Sequence, residues 1–202
     1  MSREALIDIR VEAAECRACP LWEPATQTVF GEGDPAAPVM FVGEQPGNEE
    51  DLVGRPFVGP AGRLFEKALS EIGIERSRVY ITNAVKHFKF APRGKRRLHQ
   101  KPSTSEIQAC HPWLANEIRI VRPSLIVAMG ATATRSVFGK ALPIGTNRGR
   151  LVRNDGEPCK LITVHPSALL RVPEKERREI AYANFLQDLR LALPFVERAQ
   201  AA

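Results

Sequence analysis

Pro38-Val39-Met40-Phe41-Val42-Gly43-Glu44-Gln45-Pro46-Gly47 sets an unbroken apolar run directly against a Gly- and Pro-containing turn that carries a carboxylate and an amide. A short apolar run of this kind has the length of a strand buried on both faces, not of a helix. Three more such runs follow, at 79–85 (VYITNAV), 124–130 (SLIVAMG) and 161–165 (LITVH). Helical periodicity fills the spaces around them. Leu6, Ile9 and Ala13 share one face over 2–15, and Leu64, Ala68 and Ile72 share one over 60–73. Ser103-Thr104-Ser105-Glu106 has capping-box spacing, and Ile107, Cys110, Leu114, Ile118 and Val121 follow it on one helical face. A short helix is expected at 131–138 and a last one at 174–193, with Tyr182, Leu186, Leu189 and Leu193 on one side. Apolar strands alternating with helices predict an α/β fold whose parallel sheet is covered on both faces. The chain of 202 residues is expected to form one domain over 1–202.

In such sheets ligands bind beyond the carboxyl ends of the strands. The unusual segments fall there: GEQPG after the first strand, NAVKH at the end of the second, HPSALLR after the fourth. The first continues through Glu50-Asp51 to Gly54-Arg55-Pro56-Phe57-Val58-Gly59-Pro60-Ala61-Gly62. It matches neither the dinucleotide fingerprint nor the P-loop, so ordinary nucleotide phosphate binding is not supported. Phe57, outside any periodicity, reads either as a core plug or as a stacking platform for a planar base. Glu44 and Asp51 read as acid/base groups or as loop caps. Asn83 can donate and accept together, which suits a pyrimidine edge, although on spacing alone a backbone-capping amide is the favoured reading. His165, at a strand end beside the crevice, can donate to a developing anion. Ser167 and Arg171 follow it, the latter a cation able to meet phosphate.

The formal charge is +6, with 29 Lys and Arg against 23 Asp and Glu. Arg93-Gly94-Lys95-Arg96-Arg97-Leu98-His99-Gln100-Lys101 places five cations in nine residues, without an acid, inside a stretch (86–102) that reads as a polar loop. That fits a polyanionic partner or a solvated loop. No apolar run approaches 18 residues, which argues against a transmembrane helix. The N-terminal MSREALIDIRVEAAEC lacks an apolar signal region, so an intracellular, cytoplasmic protein is expected. Its cysteines then read as metal ligands or core residues rather than disulfides. Cys16 and Cys19 form a C-x-x-C pair, with Cys110 and Cys159 far along the chain. Zinc or an iron–sulfur cluster would suit this set, with Cys159 or His87 as the fourth ligand; on composition Cys159 comes first.

Taken in order, GEQPG-x-x-ED-x-x-G-x-PFVGPAG, TNAVKHFK, KRRLH and HPSALLR resemble the uracil-DNA glycosylase superfamily, on the branch near family 4. KRRLH resembles the insertion of the UdgX type in particular. The resemblance spans roughly residues 10–195. It implies a three-layer αβα sandwich around a short, mostly parallel sheet, carrying a [4Fe-4S] cluster. Family 4 has a cluster cysteine just after N-x-V-K, where this chain has His87. The implied ligands are therefore Cys16, Cys19, His87 and Cys110, with Cys159 as the alternative. Phe57 would stack on uracil and Asn83 would read its polar edge. The backbone near Gln45, together with His165, would stabilise charge growing on O2. In the UdgX type the last residue of the insertion is thought to capture the sugar C1′ and stay attached. Here that is His99, with Glu44 as acceptor or orienter of its proton. The implied activity is a single-turnover glycosylase acting on uracil in single-stranded DNA or on a base flipped from a duplex, with a conventional multiple-turnover glycosylase and a non-catalytic, metal-containing nucleic-acid-binding module as the alternatives. Lys95, Arg96, Arg97, Lys101, Ser167 and Arg171 are the expected DNA contacts. The protein is expected to be a monomer, at the nucleoid when acting. Two positions depart from the pattern: Asn48 stands where a second carboxylate often follows GEQPG, and Leu98 where Ile is common.

Overall fold

A computed structural model describes residues 2–199. In chain order the elements are α1 (Ser2–Ala14), β1 (Glu32–Gly33), β2 (Val39–Gly43), α2 (Asn48–Val53), α3 (Pro60–Glu71), β3 (Tyr80–Asn83), β4 (Phe90–Arg93), β5 (Arg96–His99), α4 (Thr104–Val121), β6 (Leu125–Met129), α5 (Ala131–Phe138), α6 (Ile144–Asn147), β7 (Leu151–Val152), β8 (Cys159–Thr163), α7 (Pro166–Leu170), α8 (Lys175–Arg190) and α9 (Leu193–Arg198). The sheet order is β1-β3-β2-β6-β8-β7. Its four central strands are parallel, and the two-residue edges β1 and β7 run antiparallel.

Alternate residues of each central strand feed two cores. Val39 and Phe41 of β2 pack with α3, α8 and α9 on one face, around Phe65, Leu69, Phe185, Leu189 and Val196. Met40 and Val42 point the other way, toward Leu6, Ala13, Leu114 and Ala133 of α1, α4 and α5. Both sheet faces are thereby dry, which is why the strands read as continuous apolar runs. The expected αβα layering is present. Ser103 accepts from the Glu106 amide, and the Glu106 carboxylate accepts from the Ser103 amide, so the capping box starts α4 where its spacing predicts.

The sequence expectations need two corrections and one addition. The stretch 86–102 is not an open loop, because β4 and β5 form a hairpin within it, paired Phe90↔His99 through Arg93↔Arg96. Gly94, at φ 57°, supplies the left-handed residue that its two-residue turn demands. The cations hid the strand alternation. The last helix does not run unbroken over 174–193, since α8 ends at Arg190 and α9 begins at Leu193. Pro194 has no N–H to donate to a preceding turn, so it sits in the first turn of a new helix. The segment after GEQPG forms α2, closed by Gly54 at φ 78°. No helix among the described residues is long and apolar enough to cross a membrane.

Candidate active site

From β2 the chain crosses first to β3 on one side, then to β6 on the other. The strand order therefore reverses between β2 and β6, and their carboxyl ends open a crevice. A cavity of about 650 Å³ lies there, lined by Glu44 and Gln45 after β2, Gly130 and Ala131 after β6, His165 after β8, and His99 of β5. A smaller recess of about 50 Å³ shares Gln45 and His165 with it and is closed by Gly47, Glu50, Phe57 and Asn83.

The recess has a polar wall and an aromatic floor. Asn83 is 2% exposed, and its Oδ1 has no hydrogen-bond donor. A buried acceptor left open is a strong demand for a donor. Phe57 is buried against Phe65, their ring centroids 5.4 Å apart, and its backbone is held at φ 56°, a conformation rare for a bulky residue. A Cβ on Gly43 would collide with Asn83 Oδ1 and the Phe57 ring, so only glycine lets the two converge. Glu50, not anticipated from the sequence, accepts from the Gly47 amide (3.1 Å) and the Gly59 amide (2.8 Å), tying together the two loops that form the recess.

His165 faces the recess with a defined tautomer. Its Nδ1 accepts from the Ser167 amide (3.2 Å) and lies 2.8 Å from the Ser167 hydroxyl. The backbone N–H can only donate, so Nδ1 is unprotonated and Nε2 carries the hydrogen. Burial pushes the His165 pKa down to about 4, Glu44 opposing and Arg171 adding to it. The ring is thus a neutral N–H donor. Ser167 orients it and accepts from Arg171 (3.3 Å).

At the mouth, His99 Nε2 lies 3.2 Å from Glu44 Oε1, and the Thr132 hydroxyl donates to Glu44 Oε2 at 2.5 Å. Burial alone would raise the Glu44 pKa, but the His99 and Thr132 hydrogen bonds and the neighbouring imidazoles hold it below the usual carboxylate range. Thr132 was invisible in the sequence, since a Thr in the first turn of a helix carries no motif. The Gln45 side chain is occupied: Nε2 donates to Lys89 O (3.2 Å) and Gln100 O (3.1 Å), and Oε1 accepts from the Lys89 amide (3.1 Å). It braces the hairpin base.

Two expected roles change with placement. Asp51, fully buried on α2, lines neither cavity, and its carboxylate accepts from the Thr26 amide (3.0 Å) and pairs with Arg97 (2.6 Å). It is an anchor rather than an acid/base group. Arg97 is spent in the same contact: it also donates to Asn48 Oδ1 (2.7 Å) and stacks over Phe88 and Phe90. It pins the hairpin to α2 instead of facing DNA. Lys95 and Arg96 stay exposed at the hairpin turn, while Lys101 and Arg171 line the crevice.

Comparison with known proteins agrees with this geometry. The profile "Uracil DNA glycosylase superfamily" matches residues 30–190. A Type-4 uracil-DNA glycosylase of Thermotoga maritima is 41% identical over 98% of each chain. One of Sulfurisphaera tokodaii is 38% identical over 94% of this chain and 86% of its own, and one of Archaeoglobus fulgidus 36% identical over 85% and 86%. The chain belongs to the uracil-DNA glycosylase superfamily. Within it, the relatives place it on the type-4 branch.

The family branch directs attention to the cysteines. Cys16, Cys19 and Cys110 gather beside the hairpin base: Cys19 lies within the field of Cys16, and Cys110 within that of both. Trp113 Nε1 donates to Cys16 Sγ (3.1 Å), and the Lys86 amide donates to Cys110 Sγ (3.2 Å). Burial pushes the Cys110 pKa up to about 11, the nearby Lys86 opposing. Among the described residues no three His, Cys, Asp or Glu side chains are close enough for one metal ion. A multi-iron cluster spreads its ligands more widely, and three sulfurs with N–H donors aimed at them fit one. His87 is buried, and burial pushes its pKa down. The Thr28 hydroxyl donates to Ala13 O (3.1 Å), so it accepts from His87 Nε2–H (2.8 Å) and leaves Nδ1 with the free lone pair. Cys159 lies in the core on the opposite face of the sheet, at the amino end of β8 paired with Leu125. Sheet and core separate it from the other three.

Proposed function

We propose that this chain excises uracil from DNA and keeps the deoxyribose through a covalent bond to His99, as in the UdgX type. The reading rests on the position of that imidazole, held by a pinned hairpin at the mouth of the crevice, against a carboxylate and in the cavity that shares Gln45 and His165 with the recess. Uracil entering the recess stacks on Phe57 and gives its N3–H to Asn83 Oδ1. Cytosine offers a lone pair at N3 instead, and two acceptors face each other. His165 Nε2–H, with the backbone near Gln45, receives the charge that grows on O2 as the C1′–N1 bond breaks and its pair leaves with the base. The neutral His99 ring donates a nitrogen lone pair to C1′. The C1′–N bond forms, the ring becomes cationic, and the Glu44 carboxylate counters that charge.

The reading includes a [4Fe-4S] cluster on Cys16, Cys19, Cys110 and His87. When bound it supplies a redox-capable cross-link between the N-terminal segment, the β3–β4 connection and α4. Visible absorbance of the purified protein should survive Cys159→Ser and be lost in Cys110→Ser.

Wild-type protein mixed with a uracil-containing oligonucleotide should give an adduct that survives SDS and boiling, with at most one uracil released per protein. His99→Ser should give no adduct. The second reading is ordinary hydrolysis with many turnovers, favoured by the names of the relatives. Many uracils per protein without an adduct would establish it and end the capture proposal.

A further inference from the structure

We infer that Thr132 is a positioning residue for covalent capture, holding the Glu44 carboxylate ionised and turned toward His99. The inference rests on the capture reading above and adds a residue that neither the motifs nor the crevice lining includes.

A glutamate carboxylate hangs on three rotatable bonds and costs entropy to fix. Glu44 leaves β2 at the switch point, and His99 alone would hold only one of its oxygens. Its two oxygens are divided: Oε1 lies 3.2 Å from His99 Nε2, and Oε2 accepts the Thr132 hydroxyl at 2.5 Å. Anchoring Oε2 sets the direction of Oε1. The anchor is itself rigid. Thr132 is 2% exposed, in the first turn of α5, packed between Ala131 of the crevice and Ala133 of the core. Its β-branch restricts χ1 to few rotamers, and in the one adopted the hydroxyl is directed at Glu44. Gly130 precedes it at φ 89° and donates its amide to Thr163 O (2.9 Å), fixing the start of α5 against β8. Thr132 therefore couples the β6–α5 turn to the carboxylate after β2 and, through it, to a nucleophile on a hairpin that belongs to neither.

The hydroxyl acts on two properties at once. It favours the charged carboxylate, which removal of the donor would weaken, so the Glu44 titration should move up. It also fixes the orientation in which the cationic His99 of the adduct finds its counter-charge. Thr132 does not line either cavity, so uracil and DNA binding should be insensitive to it.

The test compares wild type with Thr132→Ser, which keeps the donor, and Thr132→Val, which keeps the shape and loses it. Two quantities are read: the Glu44 side-chain titration by carbon-13 NMR of the free protein, and the single-turnover rate of adduct formation at saturating DNA. Thr132→Val should raise the Glu44 titration and slow adduct formation about tenfold, the scale of one hydrogen bond to a charged group. Its DNA affinity should stay at the wild-type value. Thr132→Ser should lie near wild type in both. Unchanged titration and rate in a folded Thr132→Val protein would overturn the inference. So would equal loss in the two variants, because that marks packing rather than the hydroxyl. If wild type forms no adduct, the capture reading falls and the role in capture with it, and the Glu44 titration then reports only whether Thr132 sets that carboxylate.

Discussion

Asn83 and His165 illustrate how a residue acquires a role from what its neighbours leave undone. Asn83 Oδ1 is buried with no donor, and His165 Nδ1 is taken by Ser167, which leaves Nε2–H for the recess. Replacing Asn83 by Ala would bury uracil N3–H without an acceptor, at about 1–3 kcal/mol. Single-turnover excision should fall by about one to two orders of magnitude, while His99 remains free to react with whatever sugar cation forms. His165 also predicts a pH effect on stability. In the unfolded chain it titrates near 6.5, in the folded protein near 4. Between those values the unfolded state binds a proton that the folded state refuses, so stability must fall as pH drops from about 6.5 to about 4. The loss attributable to this ring is about 3 kcal/mol. Urea melts across that window should show a shallower decline for His165→Gln than for wild type, and parallel curves would rule out the neutral ring.

At the scale of elements, the hairpin of β4 and β5 carries the proposed nucleophile but has little core of its own. It is held by side chains: Arg97 to Asp51 and Asn48, Gln45 to its base, and Lys89 to Glu106 at 2.8 Å. Removing Arg97 would leave a wholly buried carboxylate with only the Thr26 amide as partner, a loss of about 1–3 kcal/mol. Arg97→Ala should therefore lower stability and slow adduct formation together, with faster amide hydrogen exchange across 88–100. If exchange rises there while the adduct rate holds, hairpin order is not what presents His99. This is also where the sequence was least legible. Parallel strands and capped helices announced themselves through period and length. The hairpin did not, because its strands are short, half-exposed and broken by Pro92, and because a run of cations reads as solvent-facing loop whether or not it is paired. Arg97 looked like its neighbours Lys95 and Arg96. Only the fold reveals that Asp51, forty-six positions earlier, takes it out of the DNA-facing set.

Across the whole molecule, the strand order does what no single motif states. It brings the turns after β2, β6 and β8 to one edge and closes that edge with a hairpin inserted between β3 and α4. The four motifs were recognisable as segments, but their meeting point follows from β2 lying between β3 and β6. The same arrangement sorts charge. Acids near the crevice are engaged, Asp51 by Arg97, Glu50 by backbone amides, Glu44 by His99 and Thr132. The cations Lys95, Arg96, Lys101 and Arg171 remain exposed around it. Unpaired positive charge thus gathers around the crevice through neutralisation of the acids there as well as through the basic residues themselves. Each phosphate met by one of these side chains releases counterions, adding about 0.7–0.9 to the slope of log affinity against log salt. Replacing Lys95 and Arg96 together by Glu should reduce that slope by about 1.5 or more. The measurement is best made by fluorescence anisotropy in a His99→Ser background, where capture cannot hide the equilibrium. Affinity should drop equally for uracil-containing and uracil-free DNA, because neither side chain lines the recess. A loss confined to uracil-containing DNA would place the hairpin turn in base recognition, and an unchanged slope would show that the polyanion approaches from another side.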